Sequence, residues 1–534
     1  MSAFVERALS AVLAGCIVSL SAGCVSPTTD FCGDETDVCP SGERCLRISG
    51  VEQCHKTCAD SPSCSDSSPL CDDALKVCRE CFPGEDALCQ ARNASTPRCV
   101  KGRCAACRPP SDVAAESSEC GVTSAAISAS PVCDPRSYAC RPCLRHSECA
   151  SGICVKDGSD AELGIPRGAC VPSKQVLVVD QDLCSGTGPS FCTLKQAIAK
   201  LDADHRYILL RKGVSTVDFN ELQIGMQTSH KGQILHIVGP LADQSPSSIA
   251  SEPRAAIGGS KLKDGLTVTQ SSVFLDGVLV RGNHVGVQCT GAEAKLSLVR
   301  SYLTGNDTAI MASAGCRLSV TDSWLGRGPK NSAFGQATGN IRGIEISGSD
   351  FSIVNTVFSD NGDFRQDGFG GVRVRSLSTG TRRSTIVNST IYQTSGLLKL
   401  GKYFTSLLCD TAVGDRLVVM NTLLLGDSNL QMTPEEHYVD PTCGAVISHV
   451  ASNDSALGSG QSVVLPMGVI PLRNAAERDL RPVAPVVSEG PQIQTAGAVQ
   501  VEVSGERIVA PTTDLDGRSR PQSAVAIGAF EPVP

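Results

Sequence analysis

Leu275-Asp-Gly-Val-Leu-Val280, Leu298-Val-Arg-Ser-Tyr-Leu303, Val320-Thr-Asp-Ser-Trp-Leu325, Ile353-Val-Asn-Thr-Val-Phe358, Ile386-Val-Asn-Ser-Thr-Ile391 and Val419-Met-Asn-Thr-Leu-Leu424 are versions of one hexapeptide. Their first residues lie 23, 22, 33, 33 and 33 positions apart. Each version reads aliphatic, polar, turn residue, small, variable, aliphatic. Between them come further alternating runs, Gly286-Val-Gln-Cys289, Gly343-Ile-Glu-Ile346 and Gly371-Val-Arg-Val374. Strand-length runs that return every ~20–35 residues, with no helical pattern between them, indicate a solenoid. The period-two alternation puts aliphatic side chains inside the tube and polar ones in water.

The turn position holds Asn355, Asn388 and Asn421 in three consecutive units. Identical side chains at one site of successive coils are expected to stack as a ladder of amides. Asn also tolerates the left-handed backbone of a tight turn, and the next position is Thr or Ser, which suits a packed turn. A structural ladder is therefore expected. A ligand-binding column is the alternative.

Upstream, Thr193-Leu-Lys-Gln-Ala-Ile-Ala-Lys-Leu201 reads as a short helix. Thr193 and Gln196 have the spacing of a capping box, and Leu194, Ala197, Ile198 and Leu201 form one apolar face.

The N-terminal part is different. Of 28 cysteines, 20 fall between Cys32 and Cys170. They divide into groups of four, at 32–54, 58–78, 81–104, 107–140 and 143–170. Pro69-Leu-Cys71, Pro97-Arg-Cys99 and Pro131-Val-Cys133 each precede a Cys-x-x-Cys pair: Cys78/Cys81, Cys104/Cys107 and Cys140/Cys143. This pattern predicts small tandem modules of two disulfides each, which lack the core to fold without them. Four cysteines allow three pairings, and spacing does not choose among them. Zinc is disfavoured because the Cys-x-x-Cys pairs straddle module boundaries; no metal ligand set is assigned. Within the repeat region, sequence proximity pairs Cys184 with Cys192, Cys289 with Cys316 and Cys409 with Cys443.

Export fits the cysteines. Arg7 precedes the apolar run Ala8–Gly23, too short to favour a transmembrane helix. Leu13-Ala-Gly-Cys16 and Leu20-Ser-Ala-Gly-Cys24 both resemble a bacterial lipobox. Cys24 is preferred, since cleavage at Cys16 leaves a very short apolar core and an odd cysteine. The expected organisation is a lipoprotein signal peptide over 1–23, cysteine-rich modules over 24–173 and the solenoid over 174–534. The expected location is the cell envelope, lipid-anchored, at the outer membrane or cell surface.

The net charge is −8, and no Lys/Arg run is present, which disfavours nucleic acid and other polyanionic partners. Aromatic residues make up 4%, with Trp324 alone of its type, which argues against a long sugar cleft. Oligomeric state is not legible.

Two stretches carry a family resemblance. Phe191-Cys-Thr-Leu-Lys-Gln-Ala-Ile198 is similar to an entry motif Cys-Ser-Leu-Arg-Glu-Ala-Ile. Thr513-Asp-Leu-Asp-Gly-Arg-Ser-Arg-Pro521 and Ala526-Ile-Gly-Ala-Phe-Glu531 are similar to a terminal signature, with Ala526 in place of its usual Asp. The chain from about Lys174 thereby resembles pectate-lyase-like bacterial surface proteins that end in a choice-of-anchor Q domain. The resemblance implies a right-handed parallel β-helix, so the expected fold class is all-β: that solenoid, preceded by a disulfide-rich region of tandem modules. It implies no single activity.

Fingerprints of serine hydrolases, phosphate loops and zinc proteases are absent from the sequence. The best enzymatic candidate is Ser359-Asp-Asn-Gly-Asp-Phe-Arg-Gln-Asp-Gly368, which gathers Asp360, Asp363 and Asp367 near Arg365, with Arg373 and Arg375 on the following strand. Glycoside hydrolysis needs two separated carboxyls. A uronate lyase needs acidic residues for Ca²⁺ and a base for the proton. Turn propensity alone explains the same Asp/Asn/Gly loop. The favoured reading is a non-catalytic surface scaffold, adhesion or glycan-binding protein, with envelope or extracellular polysaccharide as partner and no cofactor. The alternative is a polysaccharide lyase or glycoside hydrolase, for which Ca²⁺ would be relevant.

Overall fold

The structure, a computed structural model, describes residues 39–48, 51–108, 120, 129–156, 165–180, 184, 190–211, 217–219, 221–226, 230–244, 255–330, 332, 337–362, 369–392, 406–425, 439–452, 463–464, 472–474, 479–482, 500–503, 505–521 and 527–530. They fall into two compact units. The first runs to Cys170, apart from Arg145–Ser147 and Ser151–Cys154, which group with the second unit from Val171 onward. The exception has a physical cause: the Asp243 carboxylate accepts from the backbone N–H groups of His146 (2.7 Å) and Ser147 (2.8 Å).

In the first unit the first four modules each carry a small antiparallel hairpin. Cys45 faces Cys54, Cys71 faces Cys78, Cys99 faces Cys104 and Cys133 faces Cys140 across these hairpins. Facing cysteines do not bond to each other. The pairs are Cys58–Cys71 with Cys64–Cys78, Cys81–Cys99 with Cys89–Cys104, and Cys107–Cys133 with Cys120–Cys140. Cys39–Cys54 and Cys149–Cys170 follow the same second-to-fourth rule. The hairpins of the 58–78, 81–104 and 107–140 modules are thus each bolted to the loop before them by two crossed bridges. Closing a loop of this length removes about 3 kcal/mol of unfolded-state entropy. The cores are correspondingly little more than sulfur, as in Cys58, Cys64 and Cys78.

The second unit is a parallel β-helix. Among the described residues it has three parallel sheets, A, B and C, of eleven, ten and seven strands. One coil reads Ser272–Asp276 in sheet A, Leu279–Arg281 in sheet B and Val285–Thr290 in sheet C. The next begins at Lys295–Val299, which pairs in parallel with Ser272–Asp276. The quoted hexapeptides span the corner from A to B.

Aliphatic residues stack in register inside the tube. Leu275, Leu298, Val320, Ile353, Ile386 and Val419 form one column in sheet A. Val280, Leu303, Leu325, Phe358, Ile391 and Leu424 form another in sheet B. All belong to one core. Burying each such side chain is worth about 1.5–3 kcal/mol relative to exposure. Disulfides join Cys184 to Cys192, Cys289 to Cys316 and Cys409 to Cys443; the last two lie inside the tube, with all four sulfurs buried.

The helix Leu194–Ile198 closes the N-terminal end. Thr193 Oγ1 accepts from the Gln196 N–H (3.2 Å), Gln196 Oε1 accepts from the Thr193 N–H (3.1 Å), and Leu194, Ala197 and Ile198 are buried.

The far end of the chain folds back over the outer faces. The hairpin of Gln500–Val503 and Glu506–Val509 sets Val503 and Ile508 on Val387, Val418 and Met420 of sheet A. Leu515, Ile527, Ala529 and Phe530 cover Tyr302, Trp324, Val357 and Leu423 of sheet B.

Candidate functional site

The A-to-B corner is the first place where polar residues converge. Asn355, Asn388 and Asn421 have φ of +49°, +47° and +50°, and each is at most 1% exposed. The left-handed backbone explains why Asn recurs there. Asn421 Nδ2 donates to Asn388 Oδ1 (3.2 Å). Asn355 is used differently. Its Nδ2 donates to Asp322 Oδ1 (3.0 Å) and to the Thr513 carbonyl (2.7 Å), while its Oδ1 accepts from Arg520 (3.0 Å). The small residues that follow make a second, hydroxyl column. Ser323 Oγ accepts from the Ser301 N–H (3.2 Å), and Ser389 Oγ accepts from the Thr356 N–H (3.3 Å).

Arg520 locks the returning tail to this corner. Besides Asn355, its guanidinium donates to the carbonyls of Thr513 (3.2 Å), Gly528 (3.1 Å) and Ala529 (3.1 Å). Asp322, enclosed here, has its carboxyl pushed above the usual range by burial; the Asn355 bond and the charges of Arg300 and Arg520 oppose the shift, and Asp276 adds to it. Asp276 bonds Arg300 and also His146 Nε2 (2.9 Å). The backbone N–H of Cys154 points at His146 Nδ1 (3.2 Å), so Nε2 carries the imidazole proton toward the carboxylate.

The B-to-C corner carries a ladder that reading the hexapeptides missed. Asn283 Nδ2 donates to Asn306 Oδ1 (2.9 Å), Asn306 Nδ2 to Asn340 Oδ1 (2.9 Å) and Asn340 Nδ2 to Asn361 Oδ1 (3.0 Å). Each acceptor oxygen also takes the backbone N–H of the residue below. A signal was present: Gly282-Asn283, Gly305-Asn306 and Gly339-Asn340 repeat one dipeptide.

The enzymatic candidates separate. Asp363, Arg365 and Asp367 lie outside the described residues, as does Cys24. Asp360 sits on the B-to-C corner, 3.9 Å from Arg327. Arg373 is on the outer face of sheet C, where Nε and Nη2 donate to the two oxygens of Asp410 (3.0 and 3.1 Å). Arg375 pairs with Glu345, the neighbour of Arg373 across the strands. Asp360 and Arg373 thus have different partners.

Sequence reading also missed a groove of about 670 Å³ beside the cap helix, lined by Lys195, Ile198, Glu221, Leu222, Gln223, Leu262, Lys263, Asp264, Thr267 and His284 among others. Small-molecule sites are typically about 300–1,000 Å³. Strand Leu222–Ile224 starts sheet C at this end, so its outward residues form the wall. Lys263 Nζ bonds Glu221 Oε2 (2.8 Å), and His284 Nδ1 lies 3.1 Å from Asp264 Oδ1. The stacking of coils sets these four side by side: the Glu221 N–H donates to the Asp264 carbonyl (2.7 Å) and the His284 N–H to the Lys263 carbonyl (2.9 Å).

No family model matches the chain, and no curated protein does. Among solved structures it is similar to the crystal structure of pectate lyase Pel9A, at 12% identity and a TM-score of 0.29, over 68% of this chain and 98% of that one. The parallel β-helix rests on the strand registers described above.

Proposed function

We propose that the protein is a cell-envelope lipoprotein, anchored through Cys24, whose β-helix is a non-catalytic surface scaffold with an adhesive or glycan-binding role. The observation that carries this reading is the charge pairing on sheet C. Arg373 is held by both oxygens of Asp410, and Arg375 by Glu345. A lyase base must accept a proton, and a hydrolase needs a carboxyl pair open to substrate and water. Carboxylates and guanidiniums that neutralise each other suit a stable exposed face instead. The lipobox-like Leu20-Ser-Ala-Gly-Cys24 supports the anchor, and the bridged modules next to it suit a protease-resistant stalk.

Detergent-solubilised full-length protein on an array of extracellular polysaccharides tests the reading. Binding without chain cleavage is expected. Cleavage of an acidic polysaccharide, lost on addition of a Ca²⁺ chelator, would replace it with the lyase alternative. Mass spectrometry of the N-terminal peptide tests the anchor: diacylglyceryl mass on Cys24 is expected, and an unmodified residue 24 would refute it.

A further inference from the structure

We propose that the groove beside the cap helix is a binding site for a neutral oligosaccharide. This proposal rests on the glycan-binding reading and adds a place and a ligand class to it.

The groove has the chemistry of a hydroxyl receptor. Each of its carboxylates is fixed through one oxygen. Lys263 holds Glu221 by Oε2. Asp264 Oδ1 lies beside His284 Nδ1 and also accepts the Val285 N–H at 3.2 Å. These bonds leave Glu221 Oε1 and Asp264 Oδ2 for a ligand. Both carboxylates are accessible, with side-chain exposures of 53% and 39%. An oriented carboxylate oxygen is a strong acceptor for a sugar hydroxyl, and anchoring its partner oxygen reduces the ordering cost of binding. The donors are Lys195, Lys263 and His284, with Gln223 offering an amide and Thr267 a hydroxyl.

Charge selects the ligand class. Lys195 and Lys263 offset Glu221 and Asp264, so the groove presents local dipoles more than a net field. With its fixed charges balanced, the groove offers no net field to compensate a charged sugar for the hydration it loses on entering. A neutral sugar meets donors and acceptors only. Leu262, 93% exposed on the rim, offers a surface for the C–H face of a pyranose ring. Ile198 and Leu222 provide the apolar part of the lining.

The test uses full-length protein in detergent with three probes: cellohexaose, chitohexaose and hexagalacturonate. Titration calorimetry is expected to show binding of at least one neutral hexamer and weaker or no binding of hexagalacturonate. Asp264→Asn and Glu221→Gln are each expected to weaken the neutral ligand tenfold or more. Arg317→Gln, an exposed change on sheet A, should leave it unchanged. Far-UV circular dichroism and Trp324 emission check that each variant is folded. Wild-type affinity in both groove variants would overturn the site while leaving the glycan-binding reading intact. Preference for hexagalacturonate would overturn the ligand class. Failure of the wild type to bind any of these probes or any member of the polysaccharide array would overturn the reading beneath it.

Discussion

Arg520 offers a direct test of how the returning tail is held. Arg520 is 6% exposed, and its guanidinium donates to four oxygens: Asn355 Oδ1 and the carbonyls of Thr513, Gly528 and Ala529. Replacement by Met keeps much of the volume and removes every donor. Hydrogen bonds to a charged group are worth about 1.5–3 kcal/mol each, but such values are not additive within one network. Removing one partner from a buried charged network typically costs about 3–5 kcal/mol, and we expect Arg520→Met to fall in that range. The loss should be local first. The tail covers Trp324, whose ring lies 6.4 Å from that of Phe530, and this tryptophan stands alone in the sequence. Its emission therefore reports docking without a label. In the variant, red-shifted Trp324 fluorescence should precede loss of the far-UV β signal as urea is raised, and trypsin should release the C-terminal segment sooner. Arg520→Lys, which keeps the charge but not the fork, should fall between. If Arg520→Met keeps wild-type emission and the two transitions remain superimposed, the guanidinium is not what fastens the tail.

Other perturbations separate the remaining contacts. Asn306→Ala should destabilise the β-helix by about 2–6 kcal/mol, because Asn283 and Asn340 each lose a buried partner at about 1–3 kcal/mol apiece; unchanged chemical denaturation would remove the ladder's structural role. The Asp322 carboxyl is raised in the folded state by burial, so its ionisation opposes folding: the stability tied to it is complete below the unfolded pKa and is lost as pH rises through the folded one. Asp322→Asn, which cannot ionise, should therefore gain stability relative to wild type as pH rises, which a series of urea melts between pH 3 and 7 would show. Thr193→Ala should cost about 1 kcal/mol through loss of the helix cap, measured by the same melts. Mild reduction should collapse the cysteine-rich modules while the far-UV β signal persists, because Cys289–Cys316 and Cys409–Cys443 lie inside the tube; simultaneous loss would show that the two units unfold together.

The sequence by itself determined what repeats. Hydrophobic alternation at Leu275, Leu298, Val320, Ile353, Ile386 and Val419 is a local signal, and stacking identical coils turns it directly into a core. Asn355, Asn388 and Asn421 were legible for the same reason: a tight turn wants Asn, and the turn recurs at constant spacing. The cap helix was legible because its box closes within three residues. What only the tertiary structure decided is what joins distant or unevenly spaced groups. The Asn283–Asn306–Asn340–Asn361 ladder has steps of 23, 34 and 21 residues, and the Gly-Asn dipeptides that mark three of its members do not by themselves show that the amides bond from coil to coil. The crossed disulfides join each hairpin to the loop before it, a choice among three pairings that spacing leaves open. Arg520 reaches Asn355 across 165 residues, and the partners of Arg373 and Glu221 come from neighbouring coils 37 and 42 residues away. Coil stacking brings residues within bonding distance with no trace in local propensity. The architecture was therefore legible in the hexapeptides, whereas the pairing of charges, and with it the candidate groove, was set by how one coil lies on the next.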